Sequence, residues 1–166
     1  MNGSVAQCQH LLSVAKAIFV GLDDSHRAFE PQVGTKTAGW LIGHLAVTGD
    51  GGLHFCGRRP LCPKEWRVKF SRGSQPSANP DDYPPMEQML AMFRGVYTDL
   101  CIAATEVDVA GMEAANPYEP ARAAFPTVDV FVAWMLTGHL GYHLGQLAGW
   151  RAAAGLGRIL PISPQT

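Results

Sequence analysis

The chain has 166 residues, 47% hydrophobic and 16% charged, with a formal net charge of −1 at pH 7. That length fits one domain with a real core, and the charge balance lacks the basic excess that recruits nucleic acid or an anionic membrane. Cys8, Cys56, Cys62 and Cys101 form no C-x-x-C pair and no dense cluster, which argues against a disulfide scaffold or a zinc ribbon and leaves reduced thiols as the simplest reading.

The opening stretch MNGSVAQCQHLLSVAKAIFVGLDD has no basic leader and breaks its apolar positions with Gln9, His10, Ser13 and Lys16. Neither a signal peptide nor a membrane span is expected there, so the expected location is cytoplasmic. Ser4 with Gln7 three residues later resembles a capping box, and Leu11, Ala15, Ile18 and Leu22 recur at helical spacing. Together they predict a first helix reaching about Phe29. EPQVGTKT is a turn-rich break, after which Thr37 caps a second helix, AGWLIGHLAVTGD, that is expected to end at the glycines of DGG. It carries His44 beside Trp40, Leu41 and Val47.

Residues 51–85 are rich in Pro, Gly, Ser, Asn and Asp and read as one long ordered loop, with a short extended piece at WRVKFS. A loop of that length needs a reason. Within it, HFCGRRPLC brings His54, Cys56 and Cys62 together at a spacing that matches no common zinc motif. PPMEQMLAMFRGVYTDLCIAATEVD begins with prolines and an acid and repeats Met89, Met92 or Phe93, Val96 and Leu100 on one side, predicting helix three. GMEAANPYEPARAAFP is a second Pro-punctuated connection. Thr127 then starts a long fourth helix running to about Ala153 or Ala154, stopped by GLG, and the tail RILPISPQT is expected to pack loosely.

Four amphipathic helices without βαβ alternation predict an all-α four-helix bundle, one domain over residues 1–166. The connection between helices two and three spans about 35 residues, enough to return along a 20-residue helix of about 30 Å. Helices two and three are therefore expected to run parallel.

His139 and His143 lie four residues apart in the fourth helix. At about 100° per residue, Val128, Val132, Met135, Gln146 and Trp150 fall within about 40° of His139, which puts both imidazoles in the middle of the buried stripe. His44 projects inward on helix two in the same way. Each ring can be a core histidine with its own hydrogen bond. Three inward rings without a shared partner are expensive to satisfy separately, and charging them costs more. A divalent cation takes one lone pair from each and keeps a position open for water or substrate. Leu140 follows the first histidine, which disfavours H-E-x-x-H. Paired Glu-x-x-His motifs and C-x-x-C-H are absent, so a mononuclear site remains.

Around this trio, Gln146 is a candidate to bond a water or orient a ligand, or is a helix-packing amide. Tyr142 and Trp40 read as pocket wall or core. His26 follows the inward stripe of helix one and is a candidate further ligand or base. His10 lies at the edge of its stripe. No acidic residue pairs with the site, so no general base is assigned.

HxxxHxGQ, read as His139, His143, Gly145 and Gln146, occurs with W-L-x-x-H-L at residues 40–45, the long second connection and R-x-x-x-G at Arg151 and Gly155. In these features most of the chain resembles the DinB-like family of bacterial four-helix metalloproteins. The resemblance implies an up-down-down-up bundle, a metal triad on His44, His139 and His143, and a homodimer. It also implies a metal-dependent transferase that joins a low-molecular-weight thiol to a small electrophilic substrate, or a related metal-dependent hydrolase. A coordinated thiol ionises far below its free pKa of about 8.5. Zinc, nickel, iron and manganese all accept imidazole. The alternative is a noncatalytic metal- or ligand-binding stress protein, in which the open position is blocked or has no pocket. A third reading is a plain interaction bundle with structural histidines.

Overall fold

The computed structural model describes residues 1–159. In chain order its α-helices are α1 (Asn2–Phe19), α2 (Ala38–Phe55), α3 (Lys64–Phe70), α4 (Met86–Glu106), α5 (Val109–Glu113), α6 (Glu119–Arg122), α7 (Val128–Trp134) and α8 (Leu140–Ala153). A π-helical segment, Met135–His139, joins α7 to α8, so the two form one long interrupted helix. Among the described residues there is no strand, only an isolated antiparallel bridge between Ala115 and Thr127. The all-α bundle expected from the sequence is what the chain forms. No helix among the described residues is long and apolar enough to cross a membrane.

The α2 helix lies at the centre. Thirteen of its 18 residues are buried, which is the pattern of a helix surrounded by protein rather than one with a solvent face. It packs chiefly on α4, and also on α3 and α8. On α4 the buried residues Met86, Met89, Phe93, Val96 and Leu100 follow 3–4 spacing, as the sequence predicts for one inward stripe. Phe19 of α1 meets Phe93 edge to face, with ring centroids 5.2 Å apart.

Several boundaries differ from expectation, each for a local reason. The first helix stops at Phe19 rather than Phe29, because the chain turns at Gly21 with φ +78°. Asp23 then caps a separate 3₁₀ turn, Asp24–His26. Ser4 is not a cap. Helix α1 begins at Asn2, and the Met1 carbonyl accepts from the Ser4 and Val5 amides.

The second helix runs through DGG to Phe55. Gly49 and Gly52 are where it touches α4: a Cβ at Gly49 would lie 2.7 Å from Val96 Cγ1, and one at Gly52 2.9 Å from Leu100 Cδ2. WRVKFS is helical rather than extended, because Trp66 and Phe70, four apart, bury the same face of α3. Of residues 51–85, 51–55 therefore end α2 and the rest forms two connections around α3, while α5 and α6 similarly fill the connection after α4. Residues 160–166 of the tail lie outside the described residues.

The arginine of R-x-x-x-G has a structural task. Arg151 is buried, and its guanidinium donates to the carbonyls of Ile18 (3.1 Å), Val20 and Leu156 (2.7 Å). A cation at the end of α1 satisfies carbonyls that the helix leaves unpaired and complements its dipole.

Two glycines of α2 should respond oppositely to alanine. Gly49→Ala forces a methyl against the stiff Val96 side chain and is expected to destabilise by about 1–3 kcal/mol. A Cβ at Gly51 meets nothing within 4 Å, so Gly51→Ala should gain up to about 1 kcal/mol in helix propensity. Urea unfolding of both variants checks this, and equal effects would contradict the proposed α2–α4 contact.

Candidate metal centre

His44 is positioned from two directions. Thr37 caps α2, its hydroxyl accepting from the Trp40 amide at 3.1 Å as the sequence predicts. The His44 ring then stacks on Trp40, with centroids 4.7 Å apart and planes 9° from parallel. Its Nδ1 lies 2.7 Å from the Phe70 carbonyl. A carbonyl can only accept, so Nδ1 carries the proton and Nε2 keeps the free lone pair. Phe70 reaches this spot because residue 43 is glycine: a Cβ there would lie 2.6 Å from the Phe70 ring.

The helix that carries the other two histidines is widened at the site. Val132, Leu136, Leu140 and Leu144 are all buried, yet a straight α-helix drifts about 40° at each step of four residues. The π-helical segment absorbs that drift and ends at His139. Trp134 lies against Gly138, where a Cβ would come within 2.1 Å of its ring, and the Thr137 hydroxyl donates to the Ala133 carbonyl at 2.7 Å. The unbroken α-helical projection is corrected here. Val128, Val132, Met135 and Trp150 are buried as expected, but the residues before His139 join it through a wide turn, so their projected angles do not apply.

The three rings converge. Centroid separations are 5.2 Å for His44–His139, 4.8 Å for His44–His143 and 4.5 Å for His139–His143. One nitrogen from each ring lies within 4.8 Å of the others, and among the described residues no other group of three His, Cys, Asp or Glu is so arranged. His143 Nδ1 lies 2.6 Å from Gln146 Oε1, and Gln146 Nε2 donates to the Tyr142 hydroxyl at 3.3 Å. His139 Nδ1 is buried with no hydrogen-bond partner. Three uncharged ring nitrogens within 4.8 Å of one another, one from each histidine, are a donor set that fits a divalent metal.

Burial pushes all three imidazoles toward the neutral form. For His44, burial is the main cause, the Phe70 carbonyl opposes it, and the Lys36 charge adds to it. Burial, then His143 and His44, pushes His139 down to about 3. Burial pushes His143 down to about 4, against the Gln146 hydrogen bond and with help from His44. Neutral rings at neutral pH are the form that ligates metal.

Above the rings opens a cavity of about 600 Å³, lined by all three histidines, by Tyr142 and by the aromatic residues Trp40, Phe55, Phe125, Phe131 and Trp134. Gln146 stands behind His143 rather than in the lining. His26 lies apart from the three: its Nδ1 is 2.8 Å from Asp23 Oδ1, and its ring meets the edge of Trp150. It serves the turn that follows α1. His10 and His54 are exposed, while Cys56 and Cys62 are buried without joining a cluster.

Two supporting residues had no recognisable signal in the sequence. Phe70 acts through a backbone carbonyl, which its side chain does not advertise. Asp50, fully buried, accepts from the amides of Leu61 (2.5 Å) and Cys62 (3.2 Å) and from Arg67 (3.2 Å). It ties the loop before α3 to α2 and so helps set where Phe70 lies.

Among comparisons with known proteins, the model of the DinB superfamily matches residues 8–147, a span that contains all three histidines. No curated protein and no solved structure matches the chain.

The buried rings make stability depend on pH. With folded-state pKa values of about 3 and about 4 for His139 and His143, against an ordinary value of about 6.5, the unfolded chain binds more protons from about pH 6.5 down to about 3 at His139 and about 4 at His143. Stability of the metal-free protein is therefore full above about pH 6.5 and falls as the pH drops through that window. His139 alone contributes on the order of 2 kcal/mol of loss by pH 5, and solvent screening makes the share of His143 smaller. Urea unfolding of chelator-treated protein at pH 7.5, 6 and 5 measures the slope, which His139→Leu should flatten. A slope unchanged in that variant would mean that His139 protonates freely in the folded state.

Proposed function

The chain belongs to the DinB superfamily, and from the geometry of its histidines we propose that it is a divalent-metal enzyme joining a low-molecular-weight thiol to an electrophilic carbon. The observation that carries this reading is the convergence of three neutral imidazoles, with nitrogens within 4.8 Å of one another, on a cavity of about 600 Å³. His44, His139 and His143 would hold the ion, and zinc, nickel, iron and manganese all suit such ligands. When bound, the ion supplies Lewis acidity and lowers the pKa of a thiol that would otherwise ionise near 8.5.

The remaining work falls to the chain. The Phe70 carbonyl and Gln146 each occupy an Nδ1, fixing the tautomer and orientation of His44 and His143 and raising their basicity as ligands. The aromatic walls keep the nucleophile poorly hydrated. In the transfer, sulfur forms a bond to carbon, the leaving group departs with the bonding pair, and the thiol proton passes to solvent, since among the described residues no carboxylate lines the cavity. Hydrolysis, with water in place of the thiol, is the chemical neighbour of this reaction. A protein that only stored a metal would need no access, and the cavity over the histidines favours a site that takes a second molecule. In the same reading the protein works in the cytoplasm, where small thiols stay reduced, as a homodimer.

Elemental analysis of untagged protein tests the core of the proposal. Wild type should hold about one metal per chain, and His44→Ala and His139→Ala should lose it. Gln146→Ala should keep the site but bind zinc roughly 10–100-fold more weakly, as loss of an outer hydrogen bond does elsewhere. A wild-type protein that is metal-free and takes up neither zinc nor nickel ends the enzyme reading. A loaded protein that consumes no thiol with any activated electrophile ends the transferase part alone.

A further inference from the structure

The lining of the cavity has two chemically different parts. One is a continuous aromatic band. Phe55 and Phe125 each lie 5.4 Å from Phe131, Phe125 stacks on Trp134 at 5.4 Å, and Trp134 meets His139 at 6.5 Å. Tyr118, 41% exposed, stacks on Phe131 at 5.9 Å, so the band also reaches the surface. Such a wall favours a planar apolar ligand.

The other part is cationic. Lys36 holds its ammonium 4.3 Å above the Trp40 ring, donating to the Ser74 carbonyl at 3.3 Å and to Gln75 Oε1 at 3.1 Å. Arg72, on the same loop, is exposed and makes no hydrogen bond or ion pair among the described residues. Among the described residues neither cation has a carboxylate partner, and no Asp or Glu lines the cavity. Two unneutralised cations beside low-dielectric aromatic walls focus positive potential into the space. Three neutral imidazoles would leave the charge of a divalent ion uncompensated as well.

We propose that the cavity takes a small amphipathic organic anion, an aryl or conjugated group bearing a carboxylate or sulfonate. Its apolar body rests on Phe125, Phe131 and Trp134, and its anionic group lies at Arg72 and Lys36. As the identity of the electrophilic substrate, this rests on the transferase reading. As a binding preference, it stands on the walls alone.

The test is calorimetric binding of three probes of one shape, 2-naphthoate, 2-naphthalenemethanol and 2-naphthylmethylammonium, to the full chain with and without zinc. Naphthoate should bind about tenfold tighter than the neutral alcohol, the scale of one charge-assisted hydrogen bond, and the cation weakest. Arg72→Gln and Lys36→Gln should each remove most of that preference while leaving the alcohol unchanged, and Phe125→Ala should weaken all three probes together. Arg72 is exposed, so its variant tests charge without disturbing the core. Equal binding of the three probes overturns the proposal. So does a preference for naphthoate that vanishes with zinc removal but survives both charge substitutions, because the carboxylate would then sit on the metal. Metal content read in parallel separates the two readings. A protein that binds no metal yet selects naphthoate sinks the transferase and keeps this inference, whereas a zinc-loaded protein without selectivity sinks this inference alone.

Discussion

Three uncharged imidazoles in one buried place set the terms for the rest of the molecule. Each ring has one nitrogen that donates and one that accepts, and burial requires a partner for both. The fold supplies a partner to one nitrogen of His44, through Phe70, and to one of His143, through Gln146. It leaves His139 Nδ1 with none. On the proposed reading, a single cation would give the three converging ring nitrogens the common partner that no protein group among the described residues supplies.

The partners are themselves held from a distance. The Phe70 carbonyl reaches His44 because α3 ends there, α3 is docked where Gly43 leaves room for the Phe70 ring, and the loop before α3 is tied to α2 by buried Asp50. On the other side, the π-helical segment lets a leucine stripe with four-residue spacing stay buried while presenting His139 toward His44. The close approach at Gly49 and Gly52 brings α2 against α4, and Arg151 ties the end of α1 to the end of α8. A ligand set built on helices, with its orienting groups on elements docked by close packing, is held more firmly than one built on loops.

What the sequence disclosed and what it hid divide along a physical line. Inward positions were legible because helical burial repeats every three to four residues: His44, His139 and His143 stand out as polar interruptions of that repeat. The Thr37 cap was legible because it is local chemistry. Glycine was ambiguous, since a helix stop and a close helix contact both require the missing Cβ, and only the neighbour, Val96 or Leu100, distinguishes them. WRVKFS resembles a short strand until Trp66 and Phe70 find a common face. His26 sat on the right stripe of a helix that Gly21 ends first. The π turn did leave a trace, four buried residues each spaced by four, but a projection at constant pitch averages it away. A backbone carbonyl leaves none.

The electrostatics of the site follow from its ligands being neutral. A ligand set with carboxylates would offset part of the charge of a divalent ion. Imidazoles offset none of it, and here burial suppresses their protonation, so they add no repulsion of their own. The charge left over would therefore be the bound ion's alone, and among the described residues the cavity wall offers Lys36 and Arg72 but no acid. On the proposed reading, two negatively charged groups would complement such a site: the sulfur of an ionised thiol and the anionic group of the second substrate. On the same reading, no carboxylate among the described lining residues is there to take the thiol proton, so the bound ion would supply the acidity for thiol ionisation. Ligand neutrality, missing base and cationic wall are then one electrostatic arrangement rather than three separate features.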